Sequence, residues 1–155
     1  MVRGLVLIGP FVRNVPVGAL KLALFRLMLL RPWGPTLWEA YVKRLHPSRP
    51  PADLAVHRAR FREGLRRPDR WQAFLATTRT SHAPAEARLD RVRVPMLVVM
   101  GDRDPDFPDP RAEARNIAEP VGGEVLIVPG GGHYPQAEYP EVVGHAVVRF
   151  LGQVS

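Results

Sequence analysis

Cysteine is absent from the 155 residues. No disulfide can staple the fold, and no thiolate can hold a metal or attack a substrate, a pattern that fits a reducing compartment. Long apolar runs are missing too. The longest, Ala19 to Leu30, is interrupted by Lys21 and Arg26, whereas a membrane span needs about 20 consecutive apolar residues. Met1 runs through Arg3 into a strand-like segment with no small-residue cleavage site after it, so no secretory leader is read there. The expected location is the cytoplasm. Disorder is not expected, because 46% of the residues are hydrophobic. A chain of this size buries roughly 70% of its unfolded surface in one core.

Acidic charge is in short supply: 22 lysines and arginines against 15 aspartates and glutamates leave a net +7. Such a balance can mark a nucleic-acid binder. Here the arginines are scattered from Arg3 to Arg149, no aromatic-interleaved RNA-binding signature appears, and the one conspicuous loop is acidic. No nucleic-acid partner is expected.

What is present centres on residues 94–110, VPMLVVMGDRDPDFPDP. Met96 to Met100 is an unbroken apolar run, as in a strand buried on both faces of a parallel sheet. Gly101 ends it, and Asp102, Asp104, Asp106 and Asp109 follow. The functional crevice of an open α/β sheet lies at the carboxyl ends of its strands, so an acid cluster there is a candidate site. A solvated acidic turn is the alternative, since Asp, Pro and Gly are ordinary turn residues.

Val2 to Ile8 reads as another buried strand, closed by Gly9-Pro10. It starts with no leader, turn or cap, which suggests that something upstream is missing; a native first strand at the sheet edge is the alternative. Its bare edge is a candidate for self-association. Residues 15–87 change texture and carry no strand signal. Val17 to Leu30 reads as a helix apolar on most faces and therefore packed in protein. Trp38 to Leu45, Asp53 to Arg66 and Asp69 to Arg79 read as further helices, with Asp69 as an N-cap beside Pro68. The Pro-rich segment 46–51 is a linker. Pro110 opens a helix, Glu124 to Val128 is a third strand, and Pro140 opens a last helix with apolar residues at helical spacing. Strand, helix, strand, helix argues for right-handed crossovers and a parallel sheet.

Two strands in series thus end in loops with titratable groups, aspartate after the first and His133, preceded by Gly130-Gly131-Gly132, after the second. An imidazole held by a carboxylate is fixed in one tautomer and stabilised when it takes a proton, as a general base requires. His46, His57 and His145 read as surface residues. His82 is held in reserve as a cleft residue, with Phe107 and Tyr134 as further candidates to line the cleft.

The pattern Gly101-x-x-Asp104-x-x-x-Pro108, followed by a strand, Gly132-His133 and Glu138-x-Pro140-Glu141, resembles the C-terminal part of the α/β-hydrolase family. The opening GLVLIGP resembles the strand after that family's nucleophile helix. The resemblance covers essentially the whole chain. It implies a partial α/β-hydrolase fold: three parallel strands with flanking helices and a helical cap insertion. Residues 1–14 and 88–155 would form part of the core, and 15–87 the cap. It also implies Asp104 as the acid and His133 as the base, with Asp106 the fallback acid and Asp102 and Asp109 solvated. No cofactor or metal is implied.

One departure outweighs the matches. The family's nucleophile sits in a Gly-x-Ser-x-Gly elbow, and the only serines, Ser48, Ser81 and Ser155, lack that context. An aspartate nucleophile would need the same elbow. An acid and base without nucleophile or oxyanion donors cannot run acyl transfer. The expectation is therefore a C-terminal fragment, inactive alone. Its full enzyme would use a nucleophile–His–Asp triad on a small-molecule ester, lactone, epoxide or haloalkane. The rival is a non-catalytic binding or partner module on the same scaffold.

Overall fold

The computed structural model describes residues 2–14 and 17–154. The expected helical region begins at Val15, and residues 15 and 16, like Ser155, lie outside the described residues. By its internal contacts the chain divides into two compact units. One comprises Met1–Asn14, Leu45–Pro50 and His82–Ser155, the other Val15–Arg44 and Pro51–Ser81.

The first unit is built on a parallel sheet in the order β1-β2-β3: β1 Leu5–Ile8, β2 Met96–Gly101 and β3 Glu124–Val128. In register, Leu7 stands beside Val98, and Val99 beside Leu126. Every residue of β2 is buried, which is why its sequence is continuously apolar rather than alternating. β1 is shorter than the expected Val2–Ile8; Val2 is exposed, and the ladder begins where the Leu5 N–H meets the Pro95 carbonyl. β1 pairs on one side only among the described residues.

The pleat sends Leu97 and Val99 to one face of the sheet. There, with Val128, they meet Val143, Ala146 and Phe150 of α8, Pro140–Gln153. The i, i+3, i+7 spacing of those three puts them on one helix face. Phe150 is 2% exposed, a burial worth about 2–3 kcal/mol of transfer free energy. Between β2 and β3 runs α6, Pro110–Ala118, with Ala114, Ile117 and Ala118 sealed against the sheet. The unit also holds two one-turn helices, α5 (Ala83–Glu86) and α7 (Pro135–Glu138).

The second unit is helical: α1 Ala19–Met28, α2 Gly34–Val42, α3 Leu54–Arg66 and α4 Pro68–Thr77. Leu29, Leu65 and Trp71 form its core, with Phe25, Met28, Trp38, Phe61, Phe74 and Leu75 around them. Glu39 is buried but paired with Arg58 and Arg62, each at 2.8 Å. Three expectations are corrected here. α1 has no buried residue, and Leu20, Leu24 and Leu27 lie open. Only the stripe of Phe25, Met28 and the following Leu29 turns to this core, so the remaining apolar faces have no cover among the described residues of the unit. α2 starts four residues earlier than Trp38, because Pro35 fits the first helical turn rather than breaking it. α4 starts at Pro68, so Asp69 is not its N-cap but a first-turn acid paired with Arg67 at 2.9 Å. No helix among the described residues is long and apolar enough to cross a membrane.

Candidate active site

The first unit brings its chemistry to the carboxyl ends of the three strands. After Gly101 the chain turns, and Asp104 is left 3% exposed. Its Oδ2 lies 2.8 Å from His133 Nδ1, while its Oδ1 accepts the Asp106 N–H at 2.9 Å. Both carboxylate oxygens are therefore occupied, which fixes the side chain without a rotamer choice. His133 comes from the loop after β3. Asp106 Oδ2 stands 3.5 Å from the same ring nitrogen, a charge near the ring rather than its hydrogen-bond partner.

Two glycines make this approach feasible. Gly9, at the end of β1, has φ +54°, and a Cβ there would sit 2.6 Å from the His133 carbonyl oxygen. A Cβ on Gly132 would run into the Leu45 carbonyl oxygen and Pro47 Cδ. Backbone from three segments crowds around the histidine, and only residues without a side chain let it through.

The histidine titrates above its ordinary value. Burial of the ring acts to lower it, but the Asp104 hydrogen bond and the charges of Asp104 and Asp106 outweigh that. Partial burial, with the Asp106 and Asp104 charges, pushes the Tyr134 phenol up. With Nδ1–H donated to Asp104, Nε2 carries the lone pair, which is the arrangement of a base that takes a proton from a nucleophile.

Aromatic rings surround the imidazole. Phe11 is 5.2 Å from it, 5.1 Å from Phe107 and 5.8 Å from His82, centroid to centroid. Tyr134 meets it edge-on at 4.9 Å, and His46 stacks on Tyr134 at 5.3 Å. The structure thus places Tyr134 against His133 and links Phe107 and His82 to it through Phe11. It also adds Phe11 and His46, which the sequence reading did not single out. His46 is corrected from a surface residue to a half-buried member of this ring cluster. The signal for Phe11 was available: it follows Gly9-Pro10 at the carboxyl end of a strand, where crevice residues belong.

Two of the four loop aspartates hold partners that the linear sequence does not show. Asp102 is not simply solvated; its Oδ1 accepts the Gly130 N–H at 2.7 Å and its Oδ2 pairs with Arg111 at 2.8 Å. The returning β3 loop supplies a donor that the linear sequence does not reveal. Asp109 is exposed yet caps α6, accepting the Ala112 N–H at 2.9 Å. Glu138, quoted above only within a motif, is 2% exposed and accepts backbone N–H groups from Gly132, Ser48 and Arg49.

Asp104, Asp106 and His133 offer donor atoms all within 4.8 Å of one another. The histidine nitrogen facing the two carboxylates is the one bonded to Asp104, with the Asp106 carboxylate beside it. Ser48 Oγ would lie 3.3 Å from a Cβ on Gly130, and its N–H is spent on Glu138. It occupies no strand-to-helix elbow.

An open parallel sheet with a carboxylate and an imidazole paired on the loops of adjacent strands defines a class of catalytic scaffold, the α/β-hydrolases. The chain belongs to the α/β-hydrolase family, whose profile matches residues 1–146. Among solved structures it is similar to a bromoperoxidase from Bacillus anthracis (15% identity, 96% of this chain and 58% of that one, TM-score 0.67). It is also similar to the esterase EaEST from Exiguobacterium antarcticum (15%, 97% and 57%, TM-score 0.61). A third is Est816, described as an N-acyl homoserine lactone degrading enzyme (18%, 81% and 50%, TM-score 0.57). At these identities the likeness is one of fold. The chain spans between half and three-fifths of the length of these structures. No curated protein sequence matches it.

Proposed function

We propose that the chain supplies the acid–base half of a hydrolase that cleaves an ester or similar small substrate through a nucleophile–His–Asp triad. Its nucleophile, serine or aspartate, would lie on polypeptide outside these 155 residues. The observation that carries the reading is the 2.8 Å contact between Asp104 and His133 on the carboxyl-end loops of neighbouring strands. Likeness in fold to esterases and a lactone-degrading enzyme agrees with it.

In this reading His133 Nε2 takes the proton of the attacking nucleophile or water and returns it to the leaving group. Asp104 holds the ring and stabilises the imidazolium between those two transfers. Phe11, Phe107, Tyr134 and His82 form an aromatic cluster that extends from the base, suited to the carbon portion of a substrate. Residues 15–87 correspond, in this reading, to the helical cap insertion of the full enzyme. The nucleophile and the oxyanion donors are the parts this chain does not provide.

Purified chain is expected to leave p-nitrophenyl butyrate at the buffer rate. Turnover that disappears in His133→Ala would sink the fragment reading, because it would require a nucleophile within these residues. DNA preceding the Met1 codon gives a second test: an in-frame Gly-x-Ser-x-Gly supports the enzyme. A stop codon with a ribosome site there favours a non-catalytic module instead.

A further inference from the structure

Glu138 ends the one-turn helix α7, five residues beyond His133, and its carboxylate is shut away from water. No cation pairs with it among the described residues. Its partners are backbone donors from two separate segments. Oε2 accepts the Gly132 N–H, and Oε1 accepts the N–H groups of Ser48 and Arg49 at 3.1 and 3.2 Å. A third stitch joins the same two segments, since the His133 N–H donates to the Leu45 carbonyl at 3.0 Å. Burying a carboxylate without a counter-charge is costly, and hydrogen bonds must offset that cost. Here all of the hydrogen bonds converge on the residue just before the base and on the strip of chain that residue leans against.

We infer that Glu138 is the positioning residue of the acid–base pair, gripping Gly132 against the 45–49 segment so that the His133 ring is delivered to Asp104. This rests on the reading of His133 as the base. Glu138 does not touch the imidazole; it acts through one backbone amide. Asp102 holds the opposite side of the same loop at Gly130. Its grip lies two residues further from the histidine, and part of its charge goes to Arg111. Glu138 is therefore the nearer control.

The test is a ring titration of His133 by NMR in the full 155-residue chain, its signal assigned by its loss in His133→Gln. In Glu138→Gln the amide oxygen keeps the Ser48 and Arg49 donors, and the NH2 group faces Gly132, whose N–H is left without an acceptor. The groups facing the ring, Asp104, Asp106 and Tyr134, are unchanged. Expected are an upfield move of the Gly132 amide proton and a His133 pKa lowered by at least about half a unit, as its bond to Asp104 loosens. Glu138→Asp, which keeps the charge but shortens the reach, should recover part of that loss. It also serves as the readout should Glu138→Gln not fold. Val143→Ala in α8, a destabilised control, should lower the Tm and leave the titration alone. A folded Glu138 variant that titrates like wild type overturns the inference and leaves Glu138 a structural clamp only. Because the readout needs no turnover, it separates this inference from the hydrolase reading, which fails on activity instead.

Discussion

Replacing Asp104 with asparagine tests the pair at the centre of the site. Oδ1 of the asparagine can still accept the Asp106 N–H that holds the loop. The NH2 group then faces His133 Nδ1, forcing that nitrogen to accept and moving the ring proton to Nε2. The variant keeps its shape, loses a charge and holds the wrong tautomer. The energetic consequence depends on pH. The folded-state pKa of His133 is raised against an ordinary value near 6.5. Its contribution to stability is therefore fully present below the unfolded-state pKa and is lost as pH rises through the folded-state value.

A hydrogen bond to the carboxylate is worth about 1.5–3 kcal/mol; the asparagine NH2 returns about 1 kcal/mol of that by donating to Nδ1 of the neutral ring, and nothing when Nδ1 of the imidazolium can only donate. Neither side chain is well solvated, at 12% and 0% exposure, so screening removes little of this. Asp104→Asn should cost about 2 kcal/mol at pH 5.5 and about 1 kcal/mol at pH 9. For a domain of this length that is roughly 4–8 °C in Tm at the lower pH and half as much at the higher. Urea melts at the two pH values supply the free energies, and a calorimetric scan supplies the Tm. A cost equal at both pH values, or larger at pH 9, refutes the claim that Asp104 stabilises the imidazolium.

Two further outcomes concern the scaffold. Phe150→Ala opens a cavity between α8 and the sheet and should cost about 3–5 kcal/mol in a urea melt; a cost below 1 kcal/mol would mean that α8 is not seated as described. Glu113 is buried with one oxygen unpartnered, and burial, opposed by Arg13 and aided by Glu86, raises its pKa. Its charged form is the unfavourable one, so stability drains away as pH rises through that raised value. Glu113→Gln should raise the Tm at pH 7.5 relative to wild type and make little difference at pH 4; a lower Tm at pH 7.5 contradicts this.

The sheet was legible because its signal is local. Met96 to Met100 has no polar interruption, and only a strand covered on both faces tolerates that. The pairing of Asp104 with His133 was legible from the strand–loop order together with the family pattern. The work of the carboxylates around them was not. Asp102 and Glu138 take their partners from backbone N–H groups 28 and 90 residues away in sequence, at Gly130 and Ser48, and every residue but proline carries that donor. Side-chain spacing cannot report such a partner. The outward apolar faces of α1 were misread for a related reason: apolar content shows that a helix has faces to cover, but which of them meets a core depends on packing.

Five carboxylates lie on the segments that follow β2 and β3, and the structure gives each a different task. Asp104 touches the ring, Asp106 supplies charge beside it, and Asp109 caps a helix. Asp102 and Glu138 hold the histidine loop from its two sides. The separation follows from geometry at a single strand end. Only an acid whose two oxygens are divided between the imidazole and its own loop can hold that ring in one orientation. An acid whose oxygens are both spent on backbone can set the position of the loop but not the charge on the ring. Substitutions at Asp104 and Glu138 should therefore differ in kind. Loss of the first removes the partner that stabilises the imidazolium, whereas loss of the second leaves that partner in place and moves the ring away from it.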